Sequence, residues 1–375
     1  MARNQNKESH PDYILAGIIA LLLLWGIFQV GTVSFPFSLE KFGTPWVYFF
    51  HQILMLGIGT GLGFFVFRFP IKGLKKWAPF LFLLNLLLMV LVFLPKIGVE
   101  IGGARRWLNF GKFVIQPSEF LKITFILYLA AWLSGKSFSE RKEKFKKVFL
   151  PFGIILGILL IVLLAQPDMS TLGIIFITGS LMYFISPTPW WHTLFCLGAG
   201  GGGAFFLIKT APYRLARLLV FLHPETDPLG IGYQLRQALI AIGSGKIFGI
   251  ENGFGIGLSR QKFGFLPHPM TDSIFAIIGE ELGFFGGILL ISLFLLFAWR
   301  GFKIANQTLT LFEKLLSVGI TSWIVLQAFF NICGLIGILP LAGIPLPFFS
   351  YGGSHLIAEM IGVGILLNIS RKLKS

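Results

Sequence analysis

Ten apolar runs, each close to the length that carries a helix across a bilayer, recur along this chain, and few architectures tolerate that pattern. About 30 Å of hydrocarbon divided by a rise of 1.5 Å per residue asks for about 20 residues. The runs lie near residues 14–33, 46–66, 78–94, 120–133, 148–164, 172–185, 192–208, 272–299, 315–339 and 354–369. Several are short, and the fifth and sixth flank Gln166-Pro167-Asp168, which reads as two helices meeting at a tight turn. Only 13% of the 375 residues are charged, where a soluble domain carries about a quarter. The expected fold class is therefore all-α: a polytopic membrane protein with about ten transmembrane helices. Residues 1–375 read as a single integral-membrane domain, with two long extracytoplasmic loops at 95–118 and 209–270.

The first run has the position of a signal peptide, but it is about 20 residues long, lacks a small-residue cleavage pattern and precedes nine more runs; it reads as a retained helix. The net charge of +15 would suit a nucleic-acid binder only if the basic residues formed exposed patches; here they fall between apolar runs. Cys196 and Cys333 sit inside such runs with no CxxC or His spacing, so neither a disulfide scaffold nor a zinc ribbon is indicated. Most Lys and Arg collect in alternate connectors, around Arg68 to Lys76, Lys136 to Lys147, Arg300 to Lys314 and Arg371 to Lys374. Short cytoplasmic loops retain such residues, so both termini are expected in the cytoplasm.

The two long loops are too long to be simple connectors and are expected to be ordered and functional. In the second, Arg214 and Arg217 lie three apart in Tyr213-Arg214-Leu215-Ala216-Arg217-Leu218-Leu219, one face of an amphipathic helix on the membrane surface. That helix reads either as an anchor to anionic lipid or as part of substrate capture. The same loop holds Arg236, Lys246, Arg260 and Lys262 among glycines that include Gly253, Gly255 and Gly257. A polyanionic ligand on the outer face would account for this, although a glycine cluster alone is a weak sign of an anion site.

Charges inside apolar runs are the strongest clue, because each costs a few kcal/mol or more near the bilayer centre. Glu119 and Lys122 are three apart, which makes either a neutralising pair or a functional one. Glu280 lies about 80° from Asp272 around a shared helix and about 12 Å deeper, and Glu281 about 180° away, so the three acids cannot line one pocket. Asp272 opens its run, where capping the helix is the plain alternative to chemistry. Asp168 is placed to cap the next helix through the amides of Ser170 or Thr171. Gly279 and Gly283 form a small-xxx-small ridge suited to helix packing. No histidine has metal-ligand spacing.

The segments Gly103-Ala104-Arg105-Arg106-Trp107, Gln116-Pro117-Ser118-Glu119, Pro167-Asp168, Asp227-Pro228-Leu229-Gly230, Tyr233-Gln234, Gly243-Ser244-Gly245, Leu266-Pro267, Thr271-Asp272, Glu280-Glu281-Leu282-Gly283 and Ser350-Tyr351-Gly352-Gly353-Ser354 occur in that order. From about residue 12 to 372 the chain resembles the SEDS family, nearer its division branch (FtsW) than its elongation branch (RodA). The resemblance implies ten helices and a peptidoglycan glycosyltransferase that polymerises lipid II at the outer face of the bacterial cytoplasmic membrane. It implies a catalytic role for Asp272 and substrate binding by Arg105 and Arg106, by the buried pair Glu119 and Lys122, and by Asp168, Gln234, Ser244, Lys262 and Ser350. A class B penicillin-binding protein and other divisome or elongasome proteins are the implied partners, with no nucleic acid. No ligand set demands a metal, although a divalent cation, magnesium or manganese, is compatible with a diphosphate leaving group. His268 stands where the family usually has Glu, Ser170 where it has Gly, and His355 where it has a second Ser. Two other classes fit the embedded charges: a lipid flippase or transporter, and a non-catalytic scaffold for a transpeptidase.

Overall fold

The computed structural model describes residues 10–101, 103–111, 114–135, 145–210, 212–227, 229–250, 255 and 257–373. Lys112, Lys136, Pro228, Gly253 and Lys374, and the side chains of Tyr213 and Arg214, lie outside the described residues. Among the described residues ten long helices account for the ten apolar runs: α1 (Tyr13–Phe42), α2 (Val47–Arg68), α3 (Ile71–Leu91), α4 (Pro117–Leu133), α5 (Phe145–Ala165), α6 (Met169–Ile185), α7 (Trp190–Thr210), α10 (Ile274–Gln307), α11 (Leu311–Leu335) and α12 (Gly353–Ser370). Two shorter ones, α8 (Pro212–Leu222) and α9 (Ile231–Ser244), lie within the long second loop. Among the described residues six helices are long and apolar enough to cross a membrane: α1, α2, α3, α10, α11 and α12.

Local chemistry sets many helix ends. Asp12 caps α1 by accepting from the Leu15 amide at 2.9 Å, and Gly43 ends it in the left-handed region (φ 70°). Pro117 occupies the first turn of α4, where its missing N–H is no loss. Asp168 caps α6 through the Thr171 amide at 3.3 Å, as its position suggested.

The burial pattern is that of a protein dissolved in lipid. Leu24, Leu83 and Ile161 are exposed, whereas Glu119, Lys122, Glu280, Glu281 and Glu359 are buried. Packing between α2 and α12 is backbone to backbone: a Cβ on Gly63 would lie 2.6 Å from the Met360 carbonyl oxygen, and one on Gly364 would lie 2.2 Å from that of Gly63. Only glycine permits such an approach.

Polar bonds define two ends of the bundle. At one end Asp12 meets Ser370 and Arg300, and Asn368 meets the carbonyls of Val66 and Phe69. At the other, the loops after α3, α5, α9 and α11 converge. The loop after α3 adds something the all-α expectation did not include: a three-stranded antiparallel sheet of β1 (Gly98–Ile101), β2 (Ala104–Asn109) and β3 (Val114–Ile115), in the order β1-β2-β3.

Helix α10 is broken at Gly283 (φ 64°, ψ −156°). The amides freed there donate to the loop after α9, Phe284 to Lys246 O at 2.9 Å and Phe285 to Ile247 O at 3.2 Å. A Cβ on Gly283 would sit 2.4 Å from Gly249 N, so this glycine makes a loop-filled break, whereas Gly279 packs on Ile242 of α9. The half-helix between Ile274 and Gly283 carries Asp272 just ahead of its amino end.

Candidate functional site

Asp272 belongs to a turn fixed from three sides. His268 O accepts the amides of Thr271 and Ser273, each at 3.2 Å, and Ser273 Oγ donates to Pro267 O at 2.9 Å. From α11, Asn331 Nδ2 donates to Asp272 O and to Ile344 O, both at 2.7 Å. From the segment before α12, Ser350 Oγ donates to Thr271 O at 2.5 Å and the Tyr351 amide to Met270 O at 2.7 Å. With the backbone held, the side chain is not needed for capping: Ser273 occupies the cap position of α10, and no side-chain cap bond forms there.

The Asp272 carboxyl is only partly accessible. Desolvation pushes its pKa up from the ordinary 3.8, while His268, Arg217, Thr271 and Arg106 act in the opposite sense. Those residues come from separate parts of the chain: Arg106 from β2, Arg217 from α8, and His268 from the turn itself. The net direction is upward, which makes this carboxyl a stronger base than a free one.

Alternation along β2 separates the two neighbouring arginines. Arg106 turns into the bundle end, donating from Nε to Gln166 O at 2.8 Å and from Nη2 to Pro167 O at 2.5 Å. It thereby fastens the turn that holds Asp168, whose carboxyl caps α6. Arg105 points away and pairs with Glu100 at 3.3 Å, both side chains about half exposed. Gln234 on α9 reaches the site through Ser273 Oγ at 3.1 Å. Ser244, ten residues further along the same helix and therefore about 15 Å away, bonds back to Ala241 O. Ser170 ties the start of α6 to Ala342 O, and His355 meets Ser350 O at 3.1 Å, so two of the unusual residues buttress the segments around Asp272.

Lys262 goes elsewhere. It is buried, bonded to Gly257 O and 3.6 Å from Glu281. Burial lowers its pKa, against which Glu281 and Glu280 act. Glu280 receives Ser259 Oγ and the amides of Arg260 and Gln261, and Glu281 receives Gln29 Nε2 at 3.0 Å. The two glutamates thus clamp the 257–262 segment onto the half-helix.

Inside the bundle, Lys122 Nζ meets Glu119 at 2.7 Å and Gln327 Oε1 at 2.8 Å. Gln327 Nε2 continues to Pro345 O at 3.1 Å, and Glu359 accepts the Phe348 amide at 2.9 Å. The embedded charges therefore support the 345–350 segment, which in turn bonds the Asp272 turn. Gln327 and Asn331 escaped the sequence reading, yet two amides four residues apart inside an apolar run were a visible signal. Among the described residues no three of His, Cys, Asp and Glu gather as metal ligands. A single carboxylate is a poor donor set for a divalent ion.

A family model described as cell cycle protein, FtsW/RodA/SpoVE, matches residues 13–375. Stage V sporulation protein E of Bacillus subtilis is 40% identical over 366 residues, 97% of this chain and 98% of that protein. A protein of Coxiella burnetii named probable peptidoglycan glycosyltransferase FtsW is 38% identical over 365 residues, 96% of each chain. Among solved structures, a chain from a study of polymerization and crosslinking by a peptidoglycan synthase complex superposes with a TM-score of 0.80 at 28% identity, covering 96% of this chain and 98% of that one. Thermus thermophilus RodA superposes with a TM-score of 0.71 at 26% identity, covering 97% and 98%.

Proposed function

The chain belongs to the FtsW/RodA/SpoVE family of cell cycle proteins, and from that premise we propose that it is a peptidoglycan glycosyltransferase polymerising lipid II into glycan strands, in cell division. The observation that carries the reading is Asp272: its backbone held by Asn331, its side chain free of capping duty and its residue partly open. In this reading Asp272 is the general base. It takes the proton from the 4-hydroxyl of the acceptor sugar as that oxygen attacks the donor anomeric carbon, and the lipid diphosphate departs from the opposite face. Desolvation supports the role, since a carboxyl with a raised pKa is a stronger base than a free one.

Gln234 and Arg106 are assigned to the walls of the substrate site. The buried pair Glu119 and Lys122, with Gln327 and Glu359, positions the 345–350 segment behind it. Ser350 and Asp168 fix the surrounding turns. The Asp272 end is assigned to the outer face and both termini to the cytoplasm; the basic residues Arg68, Lys75, Arg300 and Arg371 at the opposite end support that orientation. The loops at 95–118 and 209–270 are then extracytoplasmic parts of one integral-membrane unit. A class B penicillin-binding protein, with other divisome or elongasome proteins, is the proposed partner. The test is glycan synthesis from pure lipid II by the purified protein, with and without such a partner; wild-type protein that makes no polymer under either condition rejects the reading.

A further inference from the structure

At the end of the bundle opposite Asp272, α2 and α12 finish side by side. Asn368 of α12 donates from Nδ2 to Val66 O at 2.9 Å and to Phe69 O at 2.7 Å, and the Phe69 amide returns to Phe65 O and Val66 O. Two arginines stand at this junction, Arg68 in the last turn of α2 and Arg371 at the C-cap of α12. An arginine so placed ordinarily directs its donors at the last carbonyls of a helix or at a nearby acid. Here Asn368 has taken the α2 carbonyls. The described acids of this end are committed too, Asp12 to Arg300 at 2.5 Å and Glu313 to Lys372 at 3.0 Å. Among the described residues neither Arg68 nor Arg371 makes a hydrogen bond or an ion pair through its side chain.

The contacts that the two guanidinium groups do make are aromatic. Arg68 Cζ lies 5.1 Å from the centre of the Phe64 ring, Arg371 Cζ lies 5.5 Å from that of Phe67, and the two ring centres are 6.1 Å apart. Both rings belong to α2, so arginines from two different helices rest on one platform. A guanidinium over a ring face is held in place while its five N–H donors stay free. Stacking therefore orients each fork without satisfying it.

The surroundings narrow the ligand. Leu54, Ile58, Leu62 and Phe65 are exposed, and their spacing of four, four and three puts them on one face of α2 that runs up to Arg68. Apolar chains can lie along that stripe with their anionic end at the arginines. The amino end of α3 begins three residues past Arg68 and brings the positive end of a helix to the same boundary. A soluble phosphate would use the charges and leave the stripe unused; a phospholipid uses both. A lone arginine at a helix end reaches for any headgroup within range. Two forks fixed on adjacent rings favour a lipid with two phosphates, because once the first is held the second contact is intramolecular.

We propose that Arg68 and Arg371 form a binding site for cardiolipin, a lipid with two phosphodiesters, at the membrane–water boundary between α2 and α12. Each guanidinium takes the oxygens of one phosphodiester, and the acyl chains follow the exposed stripe of α2. The site lies apart from Asp272 and stands or falls independently of the glycosyl-transfer reading.

The test is native mass spectrometry of the full chain released from detergent, titrated with tetraoleoyl cardiolipin or with dioleoyl phosphatidylglycerol, which has one phosphate. Wild-type protein should bind cardiolipin about tenfold more tightly than phosphatidylglycerol, the worth of one more charge-assisted contact. Arg68→Gln and Arg371→Gln should each bring cardiolipin down to the phosphatidylglycerol level, because one phosphate then has no partner. Lys303→Ala removes an exposed cation at the same end, over Trp299 on α10, and should keep the preference. Without added lipid both arginine variants should unfold at the wild-type temperature, since neither side chain pairs with the protein. With cardiolipin the midpoint should rise in the wild type alone. A wild-type protein that does not distinguish the two lipids would overturn the proposal. So would a preference that survives in the folded Arg68→Gln/Arg371→Gln double variant, or an equal loss in Lys303→Ala, which would mean diffuse attraction to a basic surface.

Discussion

Asn331 holds Asp272 by its backbone: the Nδ2 of the asparagine donates to the aspartate carbonyl at 2.7 Å across 59 positions of sequence. The same nitrogen reaches Ile344 O, so one amide on α11 aligns both the turn before α10 and the segment after α11. Asn331→Leu keeps the volume and removes the donors. The expected outcome is a fall in kcat of about tenfold to a hundredfold, the effect of a misplacement near 1 Å, with KM nearly unchanged. Polymerisation kinetics of the purified variant check this; a change confined to KM would mean that Asn331 serves binding rather than alignment.

Replacing Asp272 by Asn preserves shape and removes the capacity to take a proton. Glycan synthesis should fall by a factor of about a hundred or more, the usual scale of general-base catalysis, while membrane insertion and thermal stability stay at wild-type level. Asp272 caps no helix, so a large loss of stability would contradict the structural description as well as the role.

Acid inactivation should follow the Asp272 carboxyl. Burial raises its pKa above 3.8, and a base works only when deprotonated, so activity should be lost as pH falls through a value above that of a free carboxylate. Arg217 acts in the opposite direction; Arg217→Ala removes a positive neighbour and should move the acid limb to still higher pH. The profile of kcat/KM against pH for both proteins measures this, and a limb that shifts downward in the variant would rule out the electrostatic account.

The buried Glu119 to Lys122 contact of 2.7 Å makes single substitutions asymmetric with paired ones. Lys122→Met strands Glu119 without its cation and should destabilise the protein by about 3–5 kcal/mol. Adding Glu119→Gln should recover part of the loss, because the stranded charge is then gone. Unfolding midpoints in detergent, arranged as a double-mutant cycle, decide the matter; additive losses would show that the two residues act independently.

Gly283 combines a φ of 64° with a would-be Cβ contact of 2.4 Å to Gly249 N. Gly283→Ala should therefore cost stability through both strain and collision and should loosen the loop after α9. Faster proteolysis within residues 245–250 is the expected sign; a wild-type cleavage pattern would mean that the break tolerates a side chain.

Much of this architecture was legible in the order of residues because it depends on terms that act within a few turns of chain. Run length set against bilayer thickness marks the helices, the 3.6-residue period marks the surface helix around Arg217, a short polar side chain before an apolar run marks the cap at Asp168, and a three-residue spacing marks the Glu119 and Lys122 contact. What tertiary structure alone decided is which charges meet. Arg105 and Arg106 differ by one position, yet the strand sends one to Glu100 and the other to the turn beside Asp168. Lys262, ten residues from Asp272, is drawn into the clamp of Glu280 and Glu281, whereas Asn331, 59 residues away, holds the Asp272 carbonyl. Coulomb forces and hydrogen bonds depend on distance through space, and the packing of helices far apart in sequence sets that distance.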